Sequence, residues 1–308
     1  MENSHTRHYL YRRTFSSRFT STIDELPDLE RPLQDIKFAE ELVVCHTMLV
    51  NWRTYVQMIK EIEHMTTSGV TDKSAEVPGV HLGVVVLIDH IPSFYAKTLG
   101  SIPGPDEESD FLTCPRIDLI EIFVYFLFKL IGVGPVEVHV IPDITKSDLV
   151  FMATKIVDRF RTASGVSLSE ILASTSSEVP EPVYIDTEMK NQMKILSSLL
   201  CLRDLIRNKG NFGVAEKKEN ENCLRELKII DFGINLGMID VNPNILNSSF
   251  DITVLSTYIA KWNLRENIFR AREAMNNVPA LNNNPNVNLA TFDRYFQRLE
   301  KALTFFKN

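Results

Sequence analysis

The sequence predicts an α+β fold in which a β-rich middle third lies between helical segments. Three observations predict it: a β-branched run from Val80 to Ile88, a nearly all-apolar stretch from Ile117 to Ile131, and helical periodicity from Thr187 to Asn208. The 308 residues are 44% hydrophobic and 24% charged. This ordinary globular composition is sufficient for one large domain or for two lobes with their own cores.

The first 76 residues precede the β-rich part. Residues 1–23 carry arginines among Ser and Thr and predict a basic, disordered tail. A mitochondrial targeting segment has a similar composition and stays as the alternative to the expected cytoplasmic location. Residues 24–76 predict a helical N-terminal extension, because apolar residues recur at helical spacing up to about residue 65. Residues 66–78 are polar and predict a linker.

The middle third predicts two pairs of strands around one helix. Val80–Ile88 and Ser93–Leu99 form a hairpin candidate, and residues 136–141 and 149–157 give two further strands. The helix from Ile117 to Ile131 is apolar on nearly every side, so it is expected to be buried.

The last part of the chain is predominantly helical in its pattern. A charged loop is predicted over 214–226, followed by a short strand from Leu227 to Gly233. The predicted helices cover residues 187–208, 250–262, 266–275 and 289–306.

The composition also disfavours several classes of partner. A net charge of −7 argues against nucleic acid. The apolar run from Ile117 to Val133 carries three charged residues and is too short for a membrane span. The cysteines contain no CxxC pair, as is typical of a reducing compartment and of a protein without a zinc site; they are Cys45, Cys114, Cys201 and Cys223.

Two charged residues interrupt apolar elements. Lys97 stands in the second strand of the hairpin, and Glu121 stands in the apolar helix. A buried charge needs a partner, so we expect these two side chains to pair. A lysine fixed in this way is a positive point charge suited to phosphate oxygens.

A second group of polar residues follows further along the chain. Arg203 and Asp204 lie near the end of the long helical pattern, and they are followed by Asn211 and then by Asp231 at the end of an apolar strand. Carboxylate and amide oxygens are ligands that Mg²⁺ accepts. A magnesium ion beside a free aspartate is the equipment for phosphoryl transfer.

The order of these residues resembles that of protein kinases. Phe94-Tyr95-Ala96-Lys97 resembles the Val-Ala-Ile-Lys strand, residues 79–85 resemble a remnant of the glycine-rich loop, and Asp231-Phe232-Gly233 matches the metal-binding triplet. The resemblance covers about residues 77–262. It implies a two-lobed protein-kinase-like α+β fold with a helical N-terminal extension, a small lobe over 77–157 and a helical lobe over 158–308.

The resemblance also implies a role for each matched residue, with ATP and Mg²⁺ as cofactors. Asp204 would orient a hydroxyl of a protein or small-molecule substrate, and Asn211 and Asp231 would hold the metal. The implied nucleotide-binding residues are Lys97, Glu121, Gly79, Gly83 and Val85.

Departures from the kinase pattern keep a second function open. Leu202 stands where the catalytic histidine would be, and Asn211 follows Asp204 by seven residues (211 − 204 = 7), a longer spacing than in His-Arg-Asp-x-x-x-x-Asn. No Ala-Pro-Glu follows the triplet. Gly79 and Gly83 also fit turn and bulge glycines. The alternative is an inactive pseudokinase that serves as a binding or scaffold module.

Structural explanations remain for several of these residues taken singly. Lys97 could be an edge-strand lysine that reaches water, and Glu121 could face solvent. Asp204 could lie on the outer face of a helix, and Asn211 could end one. In an unrelated helical interaction protein the matches would be chance, and Lys97 would lie more than about 10 Å from both carboxylates, far beyond hydrogen-bond reach.

Overall fold

The computed structural model describes residues 50–52, 54–55, 70–72, 83–88, 91–99, 117–142, 150–165, 182–203, 205, 208–219, 222–235 and 252–304. No helix within these ranges is both long and apolar enough to cross a membrane. Gly79, Asp204, the tail over 1–23 and the proline-rich segment over 101–115 lie outside the described residues.

A five-stranded antiparallel sheet forms the first part of the fold. Its strands are β1 (Val70–Asp72), β2 (Gly83–Ile88), β3 (Ile91–Thr98), β4 (Val138–Pro142) and β5 (Val150–Lys155). They are arranged in the order β1-β2-β3-β5-β4, so β3 is the central strand. The predicted hairpin is β2–β3, whereas β1 lies in a segment that the sequence predicts to be a linker.

Helix α1 (Leu119–Ile131) connects β3 to β4 and carries a large share of the core. Asp118 begins it by accepting hydrogen bonds from the amides of Ile120 and Glu121, and Gly132 ends it in the left-handed conformation that glycine adopts most easily. Residues 119–128 are all buried, which confirms the expectation drawn from their apolar pattern.

The opposite face of the sheet has its own covering. Directly paired residues of antiparallel strands share a face, so Phe94, Ala96 and His139 lie together on the side away from Lys97. The helical residues 50–52 and 54–55 cover that face, with the Trp52 ring 4.7 Å from the Phe94 ring and the Tyr55 hydroxyl 3.2 Å from His139 Nδ1. Residues 50–52 and 54–55 of the N-terminal extension therefore pack against the five-stranded sheet.

The rest of the described chain combines short strands with helices. A three-stranded sheet has the order β6-β8-β9, and a two-stranded ladder pairs β7 with β10. These strands are β6 (Phe160–Thr162), β7 (Leu202–Arg203), β8 (Phe212–Glu219), β9 (Asn222–Ile229) and β10 (Gly233–Ile234). The helices are α2 (Thr187–Leu199), α3 (Ile252–Lys261), α4 (Leu264–Asn276) and α5 (Leu289–Thr304).

Two sequence predictions in this part are wrong. The charged loop expected over 214–226 is the β8–β9 hairpin, in which Glu216, Lys217 and Arg225 are exposed while Val214 and Leu227 are buried. The helix expected over 187–208 ends at Leu199, because α5 supplies donors to its last carbonyl groups: Tyr295 to Leu200 and Arg298 to Leu199. The α+β class itself is confirmed.

Candidate functional site

The ammonium group of Lys97 is the centre of the site. Lys97 Nζ lies 2.8 Å from Glu121 Oε1, 2.8 Å from Asp231 Oδ1 and 3.0 Å from the hydroxyl of Tyr125. Lys97 is 3% exposed and Glu121 is 4% exposed, so this ion pair is shielded from water. The contact with Asp231 has hydrogen-bond geometry, whereas that with Glu121 is an ion pair by distance alone.

Helix α1 presents two of the partners of Lys97 from consecutive turns. The Asp118 cap fixes the start of α1, which places Glu121 in the first turn. Tyr125 follows four residues later and therefore lies on the same face of the helix. Lys97 comes to this face because it stands on the side of β3 that packs toward α1, in register with Met152 of β5.

Backbone hydrogen bonds bring Asp231 to the same place. Strand β9 passes the end of α1, where the Ile229 amide donates to the carbonyl of Val133. The amides of Ile230 and Asp231 both donate to the carbonyl of Asn211, at 2.9 and 3.2 Å. Asn211 is buried beside the aspartate, so the structure brings the two predicted metal ligands together at the end of β9.

Phe232 and Gly233 join this point to the rest of the fold. The Phe232 ring packs on Tyr125 and Phe128 of α1, with ring centroids 4.6 and 5.3 Å apart. Gly233 begins β10, which pairs with β7 in the register Gly233 to Arg203. The segment that leads to the predicted catalytic residue is thus paired with the residues that follow Asp231.

Lys97 stays protonated because its carboxylate neighbours outweigh its burial. Burial alone favours the neutral amine and lowers the pKa of Lys97. The charges of Glu121 and Asp231 raise the pKa by more than burial lowers it, so it lies well above its usual value. Burial raises the pKa of Tyr125 well above its usual value, the charge of Lys97 opposing this and the nearby carboxylates adding to it. Both groups therefore keep their protons at neutral pH.

The structure decides two of the alternatives that the sequence leaves open. Lys97 lies on the central strand and is buried, so it is not an edge-strand lysine. Glu121 faces Lys97 rather than solvent.

Gly83 and Val85 lie on β2, their backbones in register with Lys97 and Tyr95 of β3. Their role toward a nucleotide stays a prediction.

Two tyrosines near Lys97 were not identified from the sequence. Tyr125 could have been found from its spacing, since it stands one turn after Glu121 on the same helix face. Tyr95 stands two residues before Lys97, and side chains two apart in a strand share a face, so it lies on the Lys97 side of the sheet. In the Val-Ala-Ile-Lys motif this position is alanine.

The donor set at the end of β9 is compatible with magnesium. Within the described residues, no group of three or more His, Cys, Asp or Glu side chains could hold a metal ion. Mg²⁺ usually takes one or two carboxylates and completes its shell with water and substrate phosphates. Asp231, whose side chain is 36% exposed, and the neighbouring Asn211 would supply such a partial set of oxygen ligands.

Comparisons with known proteins give only distant similarity. No family model and no curated protein matches the chain. The crystal structure of the Rio2 kinase-ADP/Mg²⁺-phosphoaspartate complex from Chaetomium thermophilum is 14% identical over 82% of this chain and 76% of that chain, with a TM-score of 0.34. The Golgi casein kinase with Mn/ADP bound is 12% identical over 81% and 75%, with a TM-score of 0.38. Because these identities and TM-scores are low, the fold of this chain is argued from its own strands, helices and contacts.

Those elements confirm the predicted protein-kinase-like fold. In protein kinases the phosphate-binding lysine stands on the third strand and pairs with a glutamate of the following helix, and the aspartate of Asp-Phe-Gly lies beside them. Here Lys97 stands on β3, Glu121 on α1, and Asp231 within hydrogen-bond distance of Lys97. Lys97 lies 2.8 Å from each carboxylate, so the separation of more than about 10 Å expected for a chance match in an unrelated helical protein is not found.

Proposed function

We propose that this chain binds ATP together with Mg²⁺ at the point where Lys97 and Asp231 converge. The observation that supports this most strongly is the buried ammonium group of Lys97, held between two carboxylates on different elements. Burying such a group is unfavourable, because each buried ion loses roughly several kcal/mol of hydration free energy. A role in binding an anion would explain why it is retained. A pre-positioned cation is what a triphosphate requires.

Each residue has a definite task in this proposal. Lys97 binds phosphate oxygens, and Glu121 holds Lys97 in place from α1. Asp231 and Asn211 supply oxygen ligands for the metal, which when bound neutralises phosphate charge. Asp231 suits this task because its carboxylate is partly exposed, whereas Glu121 is enclosed and can serve Lys97 alone.

Thermal unfolding with and without Mg-ATP tests the binding. At about 100 times Kd the ligand stabilises the fold by about 2.7 kcal/mol, which raises Tm by several degrees. Asp231→Ala is expected to remove the shift. The matched control is Asp293→Ala, which removes a half-exposed aspartate of α5 from its surface ion pair with Arg272 of α4 and is expected to retain the shift. Absence of a shift in the unmodified protein would refute nucleotide binding.

Phosphoryl transfer to a hydroxyl substrate is the finer proposal, with Asp204 as the residue that orients the hydroxyl. Its support is the pairing of Arg203, the residue before Asp204, with Gly233 of the Asp231 segment. ATP turnover that is lost in Asp204→Ala would support it. Turnover that survives this substitution would show that Asp204 has another role.

A binding module without turnover is the second candidate, and Tyr95 favours it. Tyr95 lies on the Lys97 face of β3, opposite Thr154 of β5. It is nearer than Lys97 to the end of β5, where residues 156–159 leave the sheet. A base attached to phosphates at Lys97 would lie on that side, where the phenol takes up space that alanine would leave open.

Replacing Tyr95 by alanine tests whether its phenol weakens ATP binding, which is the observation that favours the second candidate. We expect Tyr95→Ala to tighten ATP binding by about tenfold, equivalent to about 1.4 kcal/mol. The control Tyr184→Ala removes a tyrosine that is 68% exposed and is expected to leave the affinity unchanged. Isothermal titration calorimetry measures both. Equal or weaker ATP binding by Tyr95→Ala would show that the phenol does not obstruct the base.

A further inference from the structure

Tyr125 lies between Lys97 and the backbone that precedes Asp231. Its hydroxyl is 3.0 Å from Lys97 Nζ, 2.9 Å from the carbonyl oxygen of Ile230 and 3.5 Å from Asp231 Oδ1. The side chain is buried, and its ring packs on Phe232. One phenol on α1 therefore contacts the cation, the chain before the aspartate and the chain after it.

The single proton of the hydroxyl determines which of these contacts are hydrogen bonds. A tyrosine hydroxyl donates one hydrogen bond and accepts others. Lys97 can only donate, so the hydroxyl accepts from it. The proton goes to the carbonyl of Ile230, which is closer than the carboxylate of Asp231. Asp231 then receives its short hydrogen bond from Lys97, and its contact with the phenol is longer.

We propose that Tyr125 is a positioning residue that sets the distance between Lys97 and Asp231. It fixes the backbone carbonyl of the residue before Asp231 to the same helix face from which Glu121 holds Lys97. The positions of the cation and of the proposed metal-binding carboxylate are thereby both fixed relative to helix α1. The ligand-dependent part of this inference rests on the proposed nucleotide and metal binding.

Tyr125→Phe isolates the hydroxyl, because phenylalanine keeps the ring that packs on Phe232. We expect the Kd for ATP in the presence of Mg²⁺ to rise about tenfold, as for the loss of one or two hydrogen bonds. The Kd for ATP in EDTA should change little, since Lys97 remains. A purely structural role would weaken both affinities together.

Tyr295→Phe is the matched control. Tyr295 is also buried, and its hydroxyl also donates to a backbone carbonyl, that of Leu200, but it does not contact Lys97 or Asp231. It is expected to lose stability without altering the ratio of the two affinities. An unchanged ratio in Tyr125→Phe as well would overturn the inference while the proposed function stood.

A double-mutant cycle decides the inference even if the unmodified protein binds no nucleotide, an outcome that would refute the proposed function instead. Tyr125→Phe and Asp231→Asn are compared singly and together by urea unfolding. Non-additive changes in the unfolding midpoint support a direct coupling of the two residues. Additive changes would show that the phenol does not position Asp231.

Discussion

Replacing Lys97 by methionine removes the cation that neutralises the buried carboxylate of Glu121. Glu121 is 4% exposed, so water cannot take the place of the ammonium group. Breaking a buried ion pair in this way typically costs about 3–5 kcal/mol. Asp231 adds little to this loss, because its side chain is 36% exposed and remains hydrated. The expected loss is a large part of a total stability of about 5–15 kcal/mol.

A second substitution tests whether the isolated charge is the cause. In Lys97→Met with Glu121→Leu, both charges are gone and the site is apolar, a change that is often neutral or stabilising. The double variant should therefore recover most of the loss. The control is Lys155→Met, since Lys155 also stands in the sheet and pairs with Glu137, but the two side chains are 41% and 36% exposed. It should cost about 1 kcal/mol or less.

Urea unfolding at neutral pH measures all of these variants, with the m-value as a check that the unfolded state is comparable. A cost below about 1 kcal/mol for Lys97→Met would refute the reasoning, because a cost that small is typical of an exposed pair. The reasoning would also fail if the double variant were no more stable than the single one. In that case the destabilisation would come from lost packing rather than from the uncompensated charge of Glu121.

Two further predictions concern other parts of the fold. Burial raises the pKa of Tyr295 well above its usual value, so the native state keeps a proton that the unfolded state loses. Stability should fall as the pH rises above about 10, and Tyr295→Phe should show a shallower fall in urea midpoints between about pH 9 and 11. A Cβ at Gly213 would lie 2.0 Å from the carbonyl oxygen of Arg161 on β6, so Gly213→Ala should cost about 1–3 kcal/mol or more, with Gly210→Ala nearly neutral in the same assay.

Much of the site was predictable because charges in apolar elements need partners. Lys97 and Glu121 interrupt a strand and a buried helix, and their pairing follows from the cost of leaving either alone. The Asp-Phe-Gly triplet added Asp231 to the set. The placement of Asp204 and of Gly79 stays a prediction, since both lie outside the described residues.

The hairpin of β8 and β9 was not predictable from the local sequence. Its charged residues dominate the pattern, and buried and exposed positions do not alternate: residues 212–215 and 227–229 are buried, whereas 216–217 and 224–225 are exposed. The strands are specified by pairing with each other and with β6, whose backbone approaches so closely at Gly213 that a side chain would not fit. Strand preference depends on such neighbours more than on the strand's own residues.

The sequence by itself determined that Lys97 and Glu121 would pair, because burying either charge without its partner is unfavourable. It also determined where α1 begins and ends, through the cap of Asp118 and the left-handed Gly132, both of which act within one turn of the helix. The tertiary structure alone decided that Tyr125 would join Lys97 to the chain before Asp231, and that α2 would end at Leu199. Helix spacing indicates the face on which Tyr125 lies, but its contact with Ile230 and the end of α2 depend on groups far apart in sequence, which local spacing does not specify.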